Sequence, residues 1–328
     1  MNSLRRYLLS TIGLAALPLI TPHRASAQPA IQLPPKITIL VGFPPGGGSD
    51  LLARHLADGL QEQLRIPVVV LNRPGASGKI AAQALLDSKP DGSVLLLSHD
   101  HTISIYPQLT KNPGYNPMVD FQPVAGVGNF VNCFFTSANI PPTNYMQYRE
   151  WVLSQTVAYR TVGIPAINST PEYLIKRLNY QNSLDLVAIP YQGSAPMLTD
   201  LLAGHIPAAI STIFECIEYY RSGKIRIIAI MGSKRLGVAP NVPTLSELGI
   251  QGFENTPFYG VFAPKNMPSQ IYDSLSLAIK DVLSQPKFSK VYASTGLEIN
   301  WSSAKQFSNE ILKYNQGWQK IFQELKVD

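Results

Sequence analysis

Ile37-Thr38-Ile39-Leu40-Val41-Gly42-Phe43-Pro44-Pro45-Gly46-Gly47-Gly48-Ser49-Asp50-Leu51-Leu52 is the stretch that decides the fold. A β-rich run breaks into a proline and glycine loop, then into a helix pattern in which Leu52, Leu56, Leu60 and Leu64 recur along one face. Ser49 or Asp50 is placed to cap that helix. The first turn of a helix has unpaired N–H groups and the positive end of the macrodipole, and glycines let backbone donors approach an anion without Cβ interference. Nucleotide motifs do not fit. The phosphate-loop spacing counted from Gly42 reaches Gly47, but Gly48 and Ser49 follow with no Lys. The dinucleotide fingerprint counted from Gly46 puts Leu51 where a glycine is needed, and no acid follows the next strand, Val68–Leu71. A tight turn without a ligand is the plain alternative.

A second turn repeats the logic. Leu186–Ile189 leads through Pro190-Tyr191-Gln192-Gly193-Ser194 into a helix over Ala195–Ala203, with Gly204 as its stop. Ser194 can cap, Pro196 is tolerated in the first turn, and Gly193 frees the approach to the Ala195 N–H. Two such turns in different halves of the chain suggest two helix N-termini converging on one ligand across a cleft. Gly47 and Gly193 then serve through backbone approach.

The chain has 328 residues and a net charge of +6. Residues 1–27 read as an export signal: Arg5 and Arg6 as a basic start, Tyr7–Ile20 as the apolar core, and Ala25-Ser26-Ala27 as the cleavage site. Ser3–Leu9 is also a loose twin-arginine pattern, so either export route fits. Three of the positive charges, Arg5, Arg6 and Arg24, lie in that leader, leaving +3 for the remainder. So small an excess, scattered and without aromatic or zinc-finger spacing, excludes nucleic acid as the expected partner. Cys133 and Cys216 are the two cysteines, which excludes a disulfide scaffold and any CxxC motif. They fit either a pair in an oxidising compartment or two buried free thiols.

Roughly 300 residues beyond the leader exceed what one core usually serves, so two domains are expected. Strand-like and helical runs alternate: Val68–Leu71, Gly78–Ser88, Val94–Ser98, Gly126–Thr136, Asn144–Ser154, Ala158–Val162 and Pro171–Leu178. That alternation predicts parallel α/β sheets. Phe307, Ile311, Tyr314, Trp318, Ile321, Phe322 and Leu325 predict an amphipathic C-terminal helix whose aromatics pack.

These residues carry a family resemblance. Gly42–Asp50, Asn72-Arg73-Pro74-Gly75-Ala76-Ser77-Gly78, Pro90-Asp91-Gly92, Tyr191–Pro196, Thr199–Gly204 and Pro240-Asn241-Val242-Pro243-Thr244 resemble, in order and spacing, the substrate-binding receptors of tripartite tricarboxylate transporters, the Bug receptors. The resemblance runs from about Ile37 to the C-terminus. It implies an α/β type II periplasmic-binding-protein fold: two α/β domains with a ligand cleft between them, joined by two crossing strands near Phe121–Gly128 and Ile225–Gly232. Domain 1 would comprise 31–127 plus 232–328, and domain 2 would comprise 128–231. The implied function is a non-enzymatic periplasmic receptor, monomeric and without cofactor, that captures a small carboxylate for membrane transporter subunits. A signalling partner is the alternative recipient. The implied ligand contacts are Phe43, Pro44, Gly46, Gly47, Gly48, Ser49, His99, Asp100, Gly163, Thr170, Tyr191, Gly193, Ser194, Ala195 and Ser211, largely through backbone groups and ordered water.

Three departures from relatives bear on the ligand. Ser211 stands where many have an Asp able to pair with an amino group, so a carboxylate without an amino group is expected, with Glu215 the nearest acid and unplaced. Tyr173 stands where a His is common. His99-Asp100-His101 replaces a Ser/Thr-rich loop near the cleft. Read as extended chain, that run puts His99 and His101 on one side and Asp100 on the other, with no further His/Cys pair to complete a metal site. A secreted serine hydrolase is the enzyme alternative, but neither Ser49 nor Ser194 lies in G-x-S-x-G.

Overall fold

The computed structural model describes residues 33–324, so the expected leader and Leu325 lie outside the described residues. From Leu33 the chain forms β1 (Ile37–Val41), α1 (Gly48–Leu64), β2 (Val68–Asn72), α2 (Lys79–Leu86), β3 (Val94–His99), α3 (Tyr106–Leu109), α4 (Pro117–Asp120) and β4 (Phe121–Asn129). It continues through β5 (Asn132–Ser137), α5 (Tyr145–Leu153), β6 (Thr161–Ile164), α6 (Thr170–Asn182), β7 (Val187–Pro190), α7 (Ser194–Ala203), β8 (Ala208–Thr212), α8 (Ile213–Arg221) and β9 (Ile225–Ile230). It ends with β10 (Phe258–Pro264), α9 (Ser269–Leu283), α10 (Pro286–Ala293), β11 (Glu298–Ser303) and α11 (Ala304–Glu324). Two sheets result, ordered β11-β4-β10-β3-β1-β2 and β7-β6-β8-β5-β9, each the centre of one lobe.

Both sheets are mixed, where the alternation predicts parallel ones. β1 runs parallel to β2 and β3, and β6 runs parallel to β7 and β8. The strands next to the passages between lobes run against them: β10 against β3 and β4, and β5 against β8 and β9. Gly126–Thr136, a single run in the sequence, is divided between the sheets, since β4 ends at Asn129 and β5 begins at Asn132. The chain returns to the first sheet between Ile230 and Phe258.

The leucine face of α1 packs as its period requires. Leu52, Leu56 and Leu60 are fully buried with Ile37, Ile39 and Val41 of β1, and Leu64 is partly buried beside them. The helix starts earlier than the sequence predicts: Gly47 is the N-cap, and neither Ser49 nor Asp50 caps it. Asp50 lies in the first turn and reaches back, so that Gly46 N–H donates to its Oδ2 at 2.9 Å. Arg54 approaches the same carboxylate through Nε at 3.0 Å and Nη2 at 2.9 Å. Asn72, at the end of β2, donates through Nδ2 to Asp50 Oδ1 at 2.9 Å and to the Phe43 carbonyl at 3.0 Å. One buried carboxylate thereby fastens the glycine loop to α1 and to the sheet. Burial alone would raise its pKa, but Arg54, the Gly46 amide and Asn72 together hold it below the usual carboxylate range.

α11 backs both lobes. Phe307, Ile311, Tyr314, Trp318, Ile321 and Phe322 are buried. Phe307 lies 5.2 Å, ring to ring, from Phe258 of β10, while Trp318 and Phe322 lie 5.7 and 5.2 Å from Tyr173 of α6. Tyr173 is therefore core and not cleft. In the second lobe Cys133 and Cys216 are buried free thiols with sulfurs 3.3 Å apart, and burial pushes the Cys216 thiol up.

Two outcomes follow for stability. Phe307→Ala should cost about 3–5 kcal/mol in urea unfolding, because a fully buried ring is removed from a packed interior; a loss under about 1 kcal/mol would contradict this role for α11. Asp50→Asn should cost about 1–3 kcal/mol at neutral pH. Since folding lowers this pKa, the wild-type margin should be complete above the ordinary carboxylate value and shrink as pH falls through the folded-state value. A margin that grows on acidification would show that Asp50 does not brace the loop.

Candidate functional site

A cavity of about 70 Å3 lies between the lobes, walled by segments that follow the C-terminal ends of the parallel strands. This is where open α/β sheets place their ligands. The first lobe contributes the loop after β1, with Phe43, Pro44, Gly47, Gly48 and Ser49, and the turn after β3, with His99, Asp100 and His101. The second contributes the starts of α6 and α7, with Thr170, Gly193, Ser194 and Ala195, and the β8–α8 junction, with Ser211, Thr212 and Glu215.

Four helices, α1, α6, α7 and α8, therefore begin at this cavity. Each presents amides without intrahelical partners and a macrodipole end worth roughly +0.5 elementary charge. Ser194 starts α7 rather than capping it; Gly193 is the N-cap, at φ +98°, and Gly204 ends the helix at φ +81°. Among the described residues no Lys or Arg lines the cavity. The positive character of its wall comes from backbone donors and dipoles.

A hydrogen-bonded chain joins the lobes across this space. Gly48 N–H, from the first lobe, donates to Glu215 Oε1 at 2.7 Å, and the Ser211 hydroxyl donates to Oε2 at 2.6 Å. Ser194 Oγ lies 2.7 Å from Ser211 Oγ, so with the Ser211 proton committed to Glu215, Ser194 is the donor. Glu215 thus forms part of the wall. The expectation of an amino-free ligand rested on Ser211 offering no charge and on an unplaced Glu215, and that ground is removed.

The His99-Asp100-His101 run is not extended. β3 ends at His99 and the chain turns at Asp100 into a π-helical turn over His101–Ile105, which brings all three residues to the cavity. Asp100 Oδ2 accepts from the Tyr314 hydroxyl at 2.6 Å. His101 is only 4% exposed, and among the described residues neither of its ring nitrogens has a partner. Burial lowers its pKa to about 3, so the imidazole is neutral and offers one donor and one acceptor.

Three expected contacts stand elsewhere. Gly46, at φ +85°, spends its N–H on Asp50 and supports the loop from behind. Gly163 is needed for packing, since a Cβ there would lie 2.6 Å from Ile206 Cδ1 and 2.8 Å from Met197 Cγ. Tyr191 turns its hydroxyl to Asp200 Oδ2 at 2.7 Å and lines a neighbouring recess. Of the two serines of the hydrolase alternative, Ser194 is engaged with Ser211, away from histidine. His55 pairs with Tyr292 and His205 with Asp200.

Sequence reasoning left Glu215 unplaced and did not assign Thr212 or Tyr259 to the wall. Tyr259 comes from β10, far along the chain, and carries no local signal. The other two did leave one, because Thr212-Ile213-Phe214-Glu215 has the T-x-x-E form of a capping box at a strand-to-helix junction. The box is not made: Thr212 is the N-cap but its side chain forms no cap bond.

Comparison with known proteins agrees with this geometry. The sequence profile described as "Tripartite tricarboxylate transporter family receptor" matches residues 52–327. Protein BugT of Bordetella pertussis is 31% identical over 328 residues, covering 99% of this chain and 98% of that protein. The solved structure of periplasmic binding protein BugD is 29% identical, with a TM-score of 0.83 over 89% of this chain and 98% of that one. That of R. palustris Rpa4515 with adipate is 26% identical, with a TM-score of 0.83 over 89% and 97%. The chain belongs to the tripartite tricarboxylate transporter receptor family, the periplasmic solute-binding receptors of the Bug type.

Proposed function

We propose that this protein captures a small organic carboxylate in the cleft between its lobes and delivers it to the membrane subunits of a tripartite tricarboxylate-type transporter. The observation that carries this reading is the convergence of four helix N-termini on one interlobe cavity. In a narrow, largely apolar space, unpaired amides give charge-assisted hydrogen bonds to a carboxylate without a cationic side chain. The adipate bound by the R. palustris relative supports the ligand class.

The protein works as a non-enzymatic monomer. Residues 1–27, outside the described residues, direct it to the periplasm and are removed after Ala27. Residues 128–231 move as one unit against 31–127 plus 232–328, and closure follows because only the closed arrangement satisfies donors from both lobes.

Two glycines carry the closed contact. A Cβ on Gly48 would lie 3.0 Å from the Phe214 ring and 3.1 Å from Glu215 Oε1, both on the opposite lobe. One on Gly193 would meet Pro44 Cδ at 3.3 Å, at a φ that side chains rarely adopt. Gly47 is different, since its nearest contact would be an ordinary 3.7 Å. Gly48→Val and Gly193→Val should each weaken carboxylate binding, measured by calorimetry with an adipate-led panel, by about 1–3 kcal/mol with unchanged circular dichroism. Gly47→Ala should cost less than about 0.5 kcal/mol. If both valine variants bind as wild type does, these turns are not the site.

A further inference from the structure

Of the acids in the cleft wall, Asp100 is the more heavily engaged within the protein. Its Oδ2 takes the Tyr314 hydroxyl at 2.6 Å with Thr170 Oγ1 at 3.5 Å, and its Oδ1 faces His99 Nδ1 at 3.3 Å. Glu215 is not spent. Each of its oxygens accepts one bond, from Gly48 or Ser211, while a carboxylate has about four acceptor sites. It faces the cavity with capacity left.

Local stability has been given up to put it there. Thr212 and Glu215 have the residues and spacing of a capping box for α8, a motif that satisfies two orphan amides. Instead both side chains line the cavity, and among the described residues Thr212 Oγ1 has no partner. His101, buried in the same wall with neither ring nitrogen partnered, is an independent sign. A wall with an acceptor carboxylate, an unpartnered hydroxyl and a neutral imidazole is finished by a ligand that donates hydrogen bonds as well as accepting them.

We infer, on the basis of the carboxylate-receptor reading, that the preferred ligand carries a positively charged nitrogen in addition to its carboxylate, and that Glu215 selects for it. The ligand carboxylate takes amides at the start of α7, away from the Gly48 N–H that Glu215 already holds, and the nitrogen donates to Glu215. A dicarboxylate would bring a second anion against Glu215 in a cavity of about 70 Å3 that, among the described residues, no Lys or Arg lines. Like charges held that close disfavour each other.

The test is a calorimetric comparison in sets of equal chain length: amino acids with the amine at the α, β or γ carbon, the matching unsubstituted acids, and the matching dicarboxylates, with wild type, Glu215→Gln and Glu215→Asp. In at least one set the amino acid should bind wild type at least about tenfold tighter than its dicarboxylate. Glu215→Gln should lower the ratio of amino-acid to unsubstituted-acid affinity at least about tenfold. Glu215→Asp should retain the order of preference. A dicarboxylate or unsubstituted acid that binds wild type tightest overturns this inference and leaves the carboxylate-receptor reading standing. So does an amino-acid preference that persists in a folded Glu215→Gln. Failure of every carboxylate to bind overturns both.

Discussion

The Asp50 carboxylate is the fixed point of this structure. A loop with three consecutive glycines has no conformation of its own, and the entropy of ordering it is large. Asp50 supplies the order with one buried group that accepts from the Gly46 amide, Asn72 and Arg54, while Asn72 also holds the Phe43 carbonyl. Placed in the first turn of α1, the carboxylate is favoured by the same dipole that makes the loop attractive to a ligand. With the loop pinned from behind, the Gly48 amide reaches Glu215 on the other lobe. Without the brace the opposite turn at Gly193 would have nothing of defined shape to close on.

The cleft shows how backbone geometry replaces side-chain charge. Four helix starts point at one volume and supply positive potential that cannot rotate away or pair with the wrong partner. Acidic side chains then set the balance. Asp100 anchors the π-helical turn to α11 through Tyr314, so the helix that backs both lobes also fixes one end of the wall. Glu215 sits at the opposite junction, bonded to Gly48 across the cleft and to Ser211 beside it. α8 forgoes its own cap for this arrangement, a local sacrifice of the kind expected where function and stability compete.

Much of this was legible in the sequence because it is local. The strand, glycine loop and helix at Ile37–Leu64 and the Gly193 turn are short-range patterns, and each stands at the cavity. What was not legible depends on the third dimension. The T-x-x-E signal at Thr212 reads as a cap, but Glu215 is held instead by Ser211 and by Gly48 from 167 residues away. His99 and His101 read as one face of an extended run, but a π-helical turn brings Asp100 to the same wall. Tyr173 and Gly163 stand near the right segments yet serve packing, because burial against α11 and α7 is not encoded in nearest neighbours. The antiparallel strands of both sheets come from chain passages between lobes, which an alternating pattern cannot express.

A crystal structure with a bound carboxylate tests the central claim most directly. The account predicts carboxylate oxygens within about 3 Å of amides at the start of α1 and at Ser194–Ala195, bridging the two lobes. A carboxylate seated instead in the recess beside Tyr191, or held by side chains of one lobe alone, would contradict it.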